Sequence, residues 1–453
     1  MTERVSVVGL GKLGLCLAAC FAKTGIETIG VDVEEHVVQS VNKGISPLVE
    51  PGLQELISSL GGKQLRATLS HQEAIDNTDM TFILVATPSN QDGTFSNRYV
   101  ESTLQSLSQA LARNGKAHHL FVISSTVAPG STENSFVPLI EKHSKRTLHS
   151  GFDVCYDPDF VALGDVVRGF LEPELIVIGE TRQEAGERLE ALHGKVCQNH
   201  PHIARMSIIS AELAKVSLNA YITLKISFAN VLANICEKVP GADVDAITRA
   251  IGVDKRISPY YFNGGLSFGG TCFPRDTKAF IALCKKHLQN AELIETVERV
   301  NEFQDQHLAE LVLEQAAAMR GKSVGILGLS FKANTPVITE SPAIKLITRL
   351  LKHDLRIVVY DPLAMGNTKA LFNEQIEYVS SAKECLECAS YCVITNRLDE
   401  YRLAAENYAS DRPLTILDCW RLLDPAKLSH RIRYIAWGYA PQTSPGRAEA
   451  AAG

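Results

Sequence analysis

Residues Val5–Asp32 read VSVVGLGKLGLCLAACFAKTGIETIGVD, and this stretch decides the fold. Val5 to Val8 is a short apolar run of strand type. Gly9-Leu10-Gly11-Lys12-Leu13-Gly14 follows, then a helical pattern over Leu15–Thr24 and a second strand over Glu27–Val31 closed by Asp32. A lone GxGxxG is weak evidence. Between strand and helix, with an acid about 20 residues further on, it marks a dinucleotide-binding βαβ unit. Gly9, Gly11 and Gly14 allow the tight turn and let a pyrophosphate reach the helix N-terminus, with Lys12 and Leu13 in the same loop. Asp32 suits the adenosine ribose hydroxyls and repels a 2′-phosphate, so the expected cofactor is NAD rather than NADP.

Working outward, apolar strands are expected at Met80–Ala86, Leu120–Ser124 and Glu174–Gly179. The first two run into turns at Thr87-Pro88-Ser89 and Ser125–Gly130. Loops at the carboxyl ends of parallel strands are where this architecture binds ligands, which makes Thr87 and Thr126 candidate contacts. Ordinary turn chemistry is the competing reading of both.

From about residue 206 to 238 the pattern is helical without Pro or Gly, unusually long for a globular helix, and reads as a bridge between domains with room for a dimer contact. Lys215 and Asn219 stand four residues apart on it and share a face. An ammonium and an amide together can hold and polarise a substrate oxygen, although a solvated helix face is the plainer reading.

The run FGGTCFPRDTK, Phe268–Lys278, carries Cys272 behind two glycines and ahead of a helical stretch. A thiol just before a helix N-terminus feels the positive end of the macrodipole, which favours the thiolate. A single cysteine is more often a buried structural residue. Paired with a nicotinamide site, it suggests oxidation through a covalent carbonyl adduct.

The C-terminal part repeats the opening in degraded form. Ser323–Leu327 leads to Gly328-Leu329-Ser330-Phe331-Lys332, and the strand Arg356–Tyr360 ends in Asp361-Pro362. The full GxGxxG is absent, so this second doubly wound unit is expected to bind something other than a dinucleotide. Strands at Ala389–Thr395 and Leu414–Leu417 extend it.

Composition frames these motifs. The chain has 453 residues, 45% hydrophobic and 21% charged, as expected for two or three soluble domains. A net charge of −6 gives no reason for a nucleic-acid partner. No apolar run is expected to approach the ~20 residues of a membrane span, and the N-terminus enters a strand without a signal-peptide core. A cytoplasmic location with reduced thiols follows as an expectation for the 11 cysteines. Cys385, Cys388 and Cys392 form C-x2-C-x3-C, but no second ligand pair lies nearby, so packing is favoured over a metal site.

Taken together, GLGKLG, GISPLVEPGL (Gly44–Leu53), VATPSNQDG (Val85–Gly93), STVAPGST (Ser125–Thr132), AELAKVSLN (Ala211–Asn219), FGGTCFPRDT and GLSFKANT (Gly328–Thr335) resemble the UDP-glucose/GDP-mannose dehydrogenase family, the nucleotide-sugar 6-dehydrogenases. The resemblance runs from about Val5 to Trp437. It implies an α/β fold of two Rossmann-like doubly wound domains joined by a central helical domain with a long bridging helix. The expected boundaries are residues 1–200 for NAD, 201–305 for the helical dimerisation domain and 306–440 for the nucleotide sugar, with a disordered tail over 441–453.

The resemblance also implies a four-electron oxidation of a sugar C6 hydroxymethyl to a carboxylate with two NAD. Cys272 would form a thiohemiacetal and then a thioester, Lys215 and Asn219 would hold the oxyanion, and Thr126 would position water. Asp276 would orient or deprotonate water or Lys215. Phe160, Val161, Phe268, Gly269, Lys332 and Arg421 would face the nucleotide sugar. Arg256 would reach a neighbouring subunit's substrate in a homodimer.

Three segments depart from the family pattern. Where Asn/Ser-Pro-Glu-Phe-Leu and a second Glu are common, this chain has Asp157-Pro158-Asp159-Phe160-Val161-Ala162-Leu163. Asp159 keeps the first carboxylate; Leu163 replaces the second. Pro336–Glu340 lacks the usual arginine, and Asp418-Cys419-Trp420-Arg421 displaces another by one position. NDP-glucose, UDP- or dTDP-linked, is the leading substrate. The rivals are a UDP-N-acetylhexosamine 6-dehydrogenase, a two-electron hydroxyacid-type dehydrogenase that needs no Cys272, and an inactive sugar-nucleotide-binding protein.

Overall fold

The computed structural model describes residues 3–317 and 323–440; the tail expected over 441–453 lies outside the described residues. The chain divides into two compact units, residues 1–218 with 278–287 and residues 219–277 with 288–453.

The first unit is built on eight strands, β1 (Val5–Val8), β2 (Thr28–Val31), β3 (Leu65–Thr68), β4 (Met80–Ile83), β5 (His119–Ile123), β6 (Phe152–Tyr156), β7 (Leu175–Glu180) and β8 (His202–Ser207). Their order is β3-β2-β1-β4-β5-β6-β7-β8. Every pairing is parallel except β6 with β7. β1, β2, β4, β5 and β6 are buried at every position, because helices cover both faces of a parallel sheet. That double burial is why their sequences read as continuous apolar runs. β3, β6 and β8 were absent from the sequence reading: LRAT and HIARMS carry charge, and FDVCY has an acid at its second position.

The second unit carries β9 (Ser323–Leu327), β10 (Arg356–Tyr360), β11 (Glu377–Tyr378), β12 (Tyr391–Ile394), β13 (Leu414–Asp418) and β14 (Ile432–Ala436). Their order is β11-β10-β9-β12-β13-β14, all parallel. Both sheets therefore turn back at the same place, beside the first strand of each, where this architecture opens its ligand crevice. Cys392 is buried on β12 itself, and Cys385 is buried on the helix Ala382–Cys388 with its thiol toward the carbonyls of Val358 and Ile326.

The long helix spans Ile208–Cys236, starting directly after β8. By length and composition alone it would suffice to cross a bilayer, which corrects the expectation that no apolar run approaches that length. It nevertheless carries Glu212, Lys215, Asn219 and Lys225, and the first three are buried. A second helix, Phe273–Lys286, begins one residue after Cys272, and a third covers Glu292–Ala317.

Candidate active site

In the first unit the Gly-rich loop closes as its sequence requires. Gly9 has φ +93°, and a Cβ there would collide with the Leu84 carbonyl; one on Gly14 would collide with the Gly9 carbonyl. Gly11 faces open space, as an approaching diphosphate needs. Asp32 accepts the Leu10 N–H at 2.7 Å through one oxygen and the Glu34 N–H at 2.9 Å through the other, tying the acid to the loop. Lys12 is exposed at the loop tip, its pKa lowered by partial burial. Thr87 donates to the Thr126 carbonyl at 2.7 Å, so these two buried threonines do meet. These residues fit a dinucleotide: backbone room, free N–H groups at a helix start, and a carboxylate for the ribose.

Lys215 belongs to this unit and is buried. Its ammonium donates to the Asp159 carbonyl, lies 3.9 Å from the Asp159 carboxylate, and sits 5.0 Å above the Phe160 ring. The loop after β6 thus holds the lysine through backbone, charge and ring together, with Val161 following at intermediate burial. Leu163 packs against the apolar core of the unit. A buried carboxylate, Glu50, holds that end of the loop, accepting the N–H groups of Gly164 at 3.2 Å and Val166 at 2.8 Å.

In the second unit Cys272 is exposed, and its carbonyl accepts the Asp276 N–H at 2.8 Å as the first turn of the following helix. The Thr271 hydroxyl lies 3.7 Å from the thiol. Asp276 is fully buried and receives Asn219 Nδ2 at 2.6 Å and Arg275 Nε at 2.8 Å. Asn219 and Lys215 are one turn apart on the long helix, as their spacing required. Asp276 therefore orients Asn219.

The backbone ahead of Cys272 is held by side-chain amides. Asn230 binds Gly265 N–H at 2.8 Å and the Leu266 carbonyl at 3.1 Å, and Gln304 donates to the Gly265 carbonyl at 2.7 Å. Asn301 takes Phe268 N–H at 2.8 Å and returns a bond to its carbonyl at 3.0 Å. Gly270, at φ +84°, donates to the Thr339 carbonyl at 3.0 Å, and a Cβ there would strike the Phe331 ring. Gly269 is equally closed in, against the Glu340 carbonyl. None of the three amides was singled out from sequence; an amide two helices away leaves no local signal.

Lys332 is exposed beside Phe331. Arg256 is largely exposed and forks onto Asp254 at 2.6–3.2 Å. Arg421 departs from expectation. Its guanidinium grips Asp245 at 2.8 and 2.9 Å and also donates to the carbonyls of Gly264, Cys419 and Trp437. With every donor group engaged inside the protein, it braces the fold and has nothing left for a ligand. Asp361, the counterpart of Asp32, is buried and receives Leu329, Ser330, Leu363 and Ala364 N–H groups, which closes it to a ribose.

The family models match in the order of these parts: the NAD-binding domain over residues 3–197, the central domain over 209–303 and the UDP-binding domain over 325–425. The chain belongs to the UDP-glucose/GDP-mannose dehydrogenase family. UDP-glucose 6-dehydrogenase AglM of Haloferax volcanii is 36% identical over 421 residues, covering 92% of this chain and 97% of that protein. A GDP-mannose 6-dehydrogenase of Pseudomonas putida is 32% identical, covering 89% and 93%. Among solved structures, a UDP-glucose dehydrogenase from Pyrobaculum islandicum superposes with a TM-score of 0.87 at 32% identity, covering 97% and 98%. This chain is thus an NAD-binding member of the nucleotide-sugar 6-dehydrogenases.

Proposed function

We propose that the protein oxidises the C6 hydroxymethyl of a UDP- or dTDP-linked glucose to the uronic acid, releasing it from a Cys272 thioester. The observation that carries this reading is the exposed thiol at the start of a helix whose fourth residue, Asp276, orients Asn219. Bound NAD supplies the hydride acceptor for each of two oxidations. Loss of the first hydride and the hydroxyl proton leaves the C6 aldehyde. The Cys272 sulfur then adds to C6, and the proton ends on the new hydroxyl. Loss of a second hydride and that hydroxyl proton leaves the thioester, which water cleaves to the carboxylate and the free thiol. Lys215 and Asn219 offset the negative charge that develops on oxygen in these steps, and Thr126 positions the water. Phe268 and Gly269 line the sugar, and Lys332 and Arg256 bind the diphosphate.

The 36% identity to a UDP-glucose 6-dehydrogenase motivates glucose as the first candidate, and the GDP-mannose 6-dehydrogenases at 31–32% keep GDP-mannose in the test. A UDP-N-acetylhexosamine is the second candidate. The direct test is NADH formed per sugar nucleotide consumed, across UDP-glucose, dTDP-glucose, GDP-mannose and UDP-N-acetylhexosamines. Two NADH with UDP- or dTDP-glucose is expected. One NADH on every substrate would sink the thioester mechanism, and preference for another sugar would reassign the substrate.

We further read the working form as a homodimer. Tyr221, Phe228, Val231 and Ile235 are exposed along one stripe of the long helix, with Phe303 exposed on the helix Glu292–Ala317. Apolar side chains in such a row favour a second copy of the same surface.

A further inference from the structure

The loop that carries Asp159 and Phe160 is anchored at both ends by buried charge. At its far end Glu50 takes the Gly164 and Val166 N–H groups. At its near end Asp157 donates its N–H to the Ile123 carbonyl at 2.8 Å, and its buried carboxylate lies 2.9 Å from His193 Nε2. His193 comes from the last turn of the helix Gln183–Val196, and its side chain is almost as enclosed as that of Asp157. A single residue, Pro158, separates Asp157 from Asp159, whose carbonyl and carboxylate hold Lys215. A carboxylate stands here in a buried place and requires a cation.

We propose that His193 is a positioning residue for the oxidation: paired with Asp157, it fixes the loop 158–164 and with it the ammonium of Lys215. This rests on the reading of Lys215 as the cation that stabilises the oxyanion. Two groups act on the imidazole besides its burial, Asp157 from the end of β6 and the Cys197 thiol from the end of its own helix. Cys155, on β6, is pushed up by burial and then by Asp157, and stays neutral. Burial alone would lower the His193 pKa, but the Asp157 carboxylate outweighs it and carries the group up to about 10. Histidine is therefore charged through the neutral range, and the pair opens only as pH rises through that value. Stability from the pair follows the same sign: full below the ordinary 6.5 and lost toward about 10.

The test uses the full chain with UDP-glucose and NAD. His193→Gln strands the buried carboxylate and is expected to lower kcat by roughly ten- to a hundredfold, as a displaced catalytic group does, with the KM for NAD unchanged. Asp157→Asn keeps an acceptor for the imidazole but removes the charge, and should lower kcat less than His193→Gln does. The double variant Asp157→Asn/His193→Gln should recover most of kcat and lack the fall of kcat toward about pH 10 that the charged pair is expected to give the wild type. A His193→Gln enzyme within twofold of wild type overturns the proposal. So does a double variant that keeps the alkaline fall. If His193→Gln does not fold, the double variant alone decides by its pH profile. A Lys215→Met control separates the premises: an undiminished kcat there sinks the role of Lys215, whereas a defective Lys215→Met beside an active His193→Gln sinks only the positioning role.

Discussion

Cys272 joins an exposed thiol to a backbone carbonyl that starts a helix. Its replacement by serine removes the sulfur nucleophile and leaves the loop geometry alone. Cys272→Ser is expected to release no uronic acid while binding UDP-glucose as tightly as wild type, measured by product analysis and by equilibrium titration. Turnover at the wild-type rate in that variant would refute the covalent route. Cys272 was legible in the sequence because everything that marks it, two glycines, a proline and a helix start, lies within one short segment. Asp276 and Arg421 were less so. Asp276 meets Asn219 from 57 positions away, and Arg421 finds Asp245 from 176 away. A charged residue near a motif cannot be assigned to ligand or to fold until its distant partners are known.

The helices, taken as elements, are where the site acquires its rigidity. Asn230 on the long helix and Asn301 and Gln304 on the helix Glu292–Ala317 satisfy buried peptide groups of a loop that has no strand to pair with. Asn301→Ala would leave the Phe268 N–H and carbonyl without partners, at a cost of about 1–3 kcal/mol for each stranded group. The expected outcome is a lower thermal midpoint together with reduced kcat, checked by calorimetry and steady-state assay. An unchanged midpoint would mean that the clamp contributes nothing. The long helix itself was readable over nearly its full length, since 29 residues run without a breaker. β6 and β8 were not, because their polar residues are accommodated by neighbours. In β6, Asp153 is buried against His118, His149 and Arg182, the last at 2.6 Å, which holds its carboxyl well below the usual range against the cost of burial.

Two sheets with the same turn-back organise the whole molecule, one with an open glycine loop and the other with its counterpart closed by Asp361. The exposed stripe of the long helix makes a prediction at this scale. Phe228→Asp, on an exposed position that costs the fold little, should shift the protein from dimer to monomer in sedimentation and lower activity. A dimer undisturbed by that change would place the interface elsewhere. The amino-acid sequence by itself determined the two βαβ frameworks and the NAD site, and singled out Cys272 as the candidate nucleophile, because these depend on patterns confined to one or two adjacent elements. Only the tertiary structure decided which charged groups are committed to one another: Lys215 to Asp159, Asp157 to His193, Arg421 to Asp245. The reason is physical. A buried charge must find a partner, and that partner is set by which strands and helices come side by side, a choice made by the packing of the whole fold.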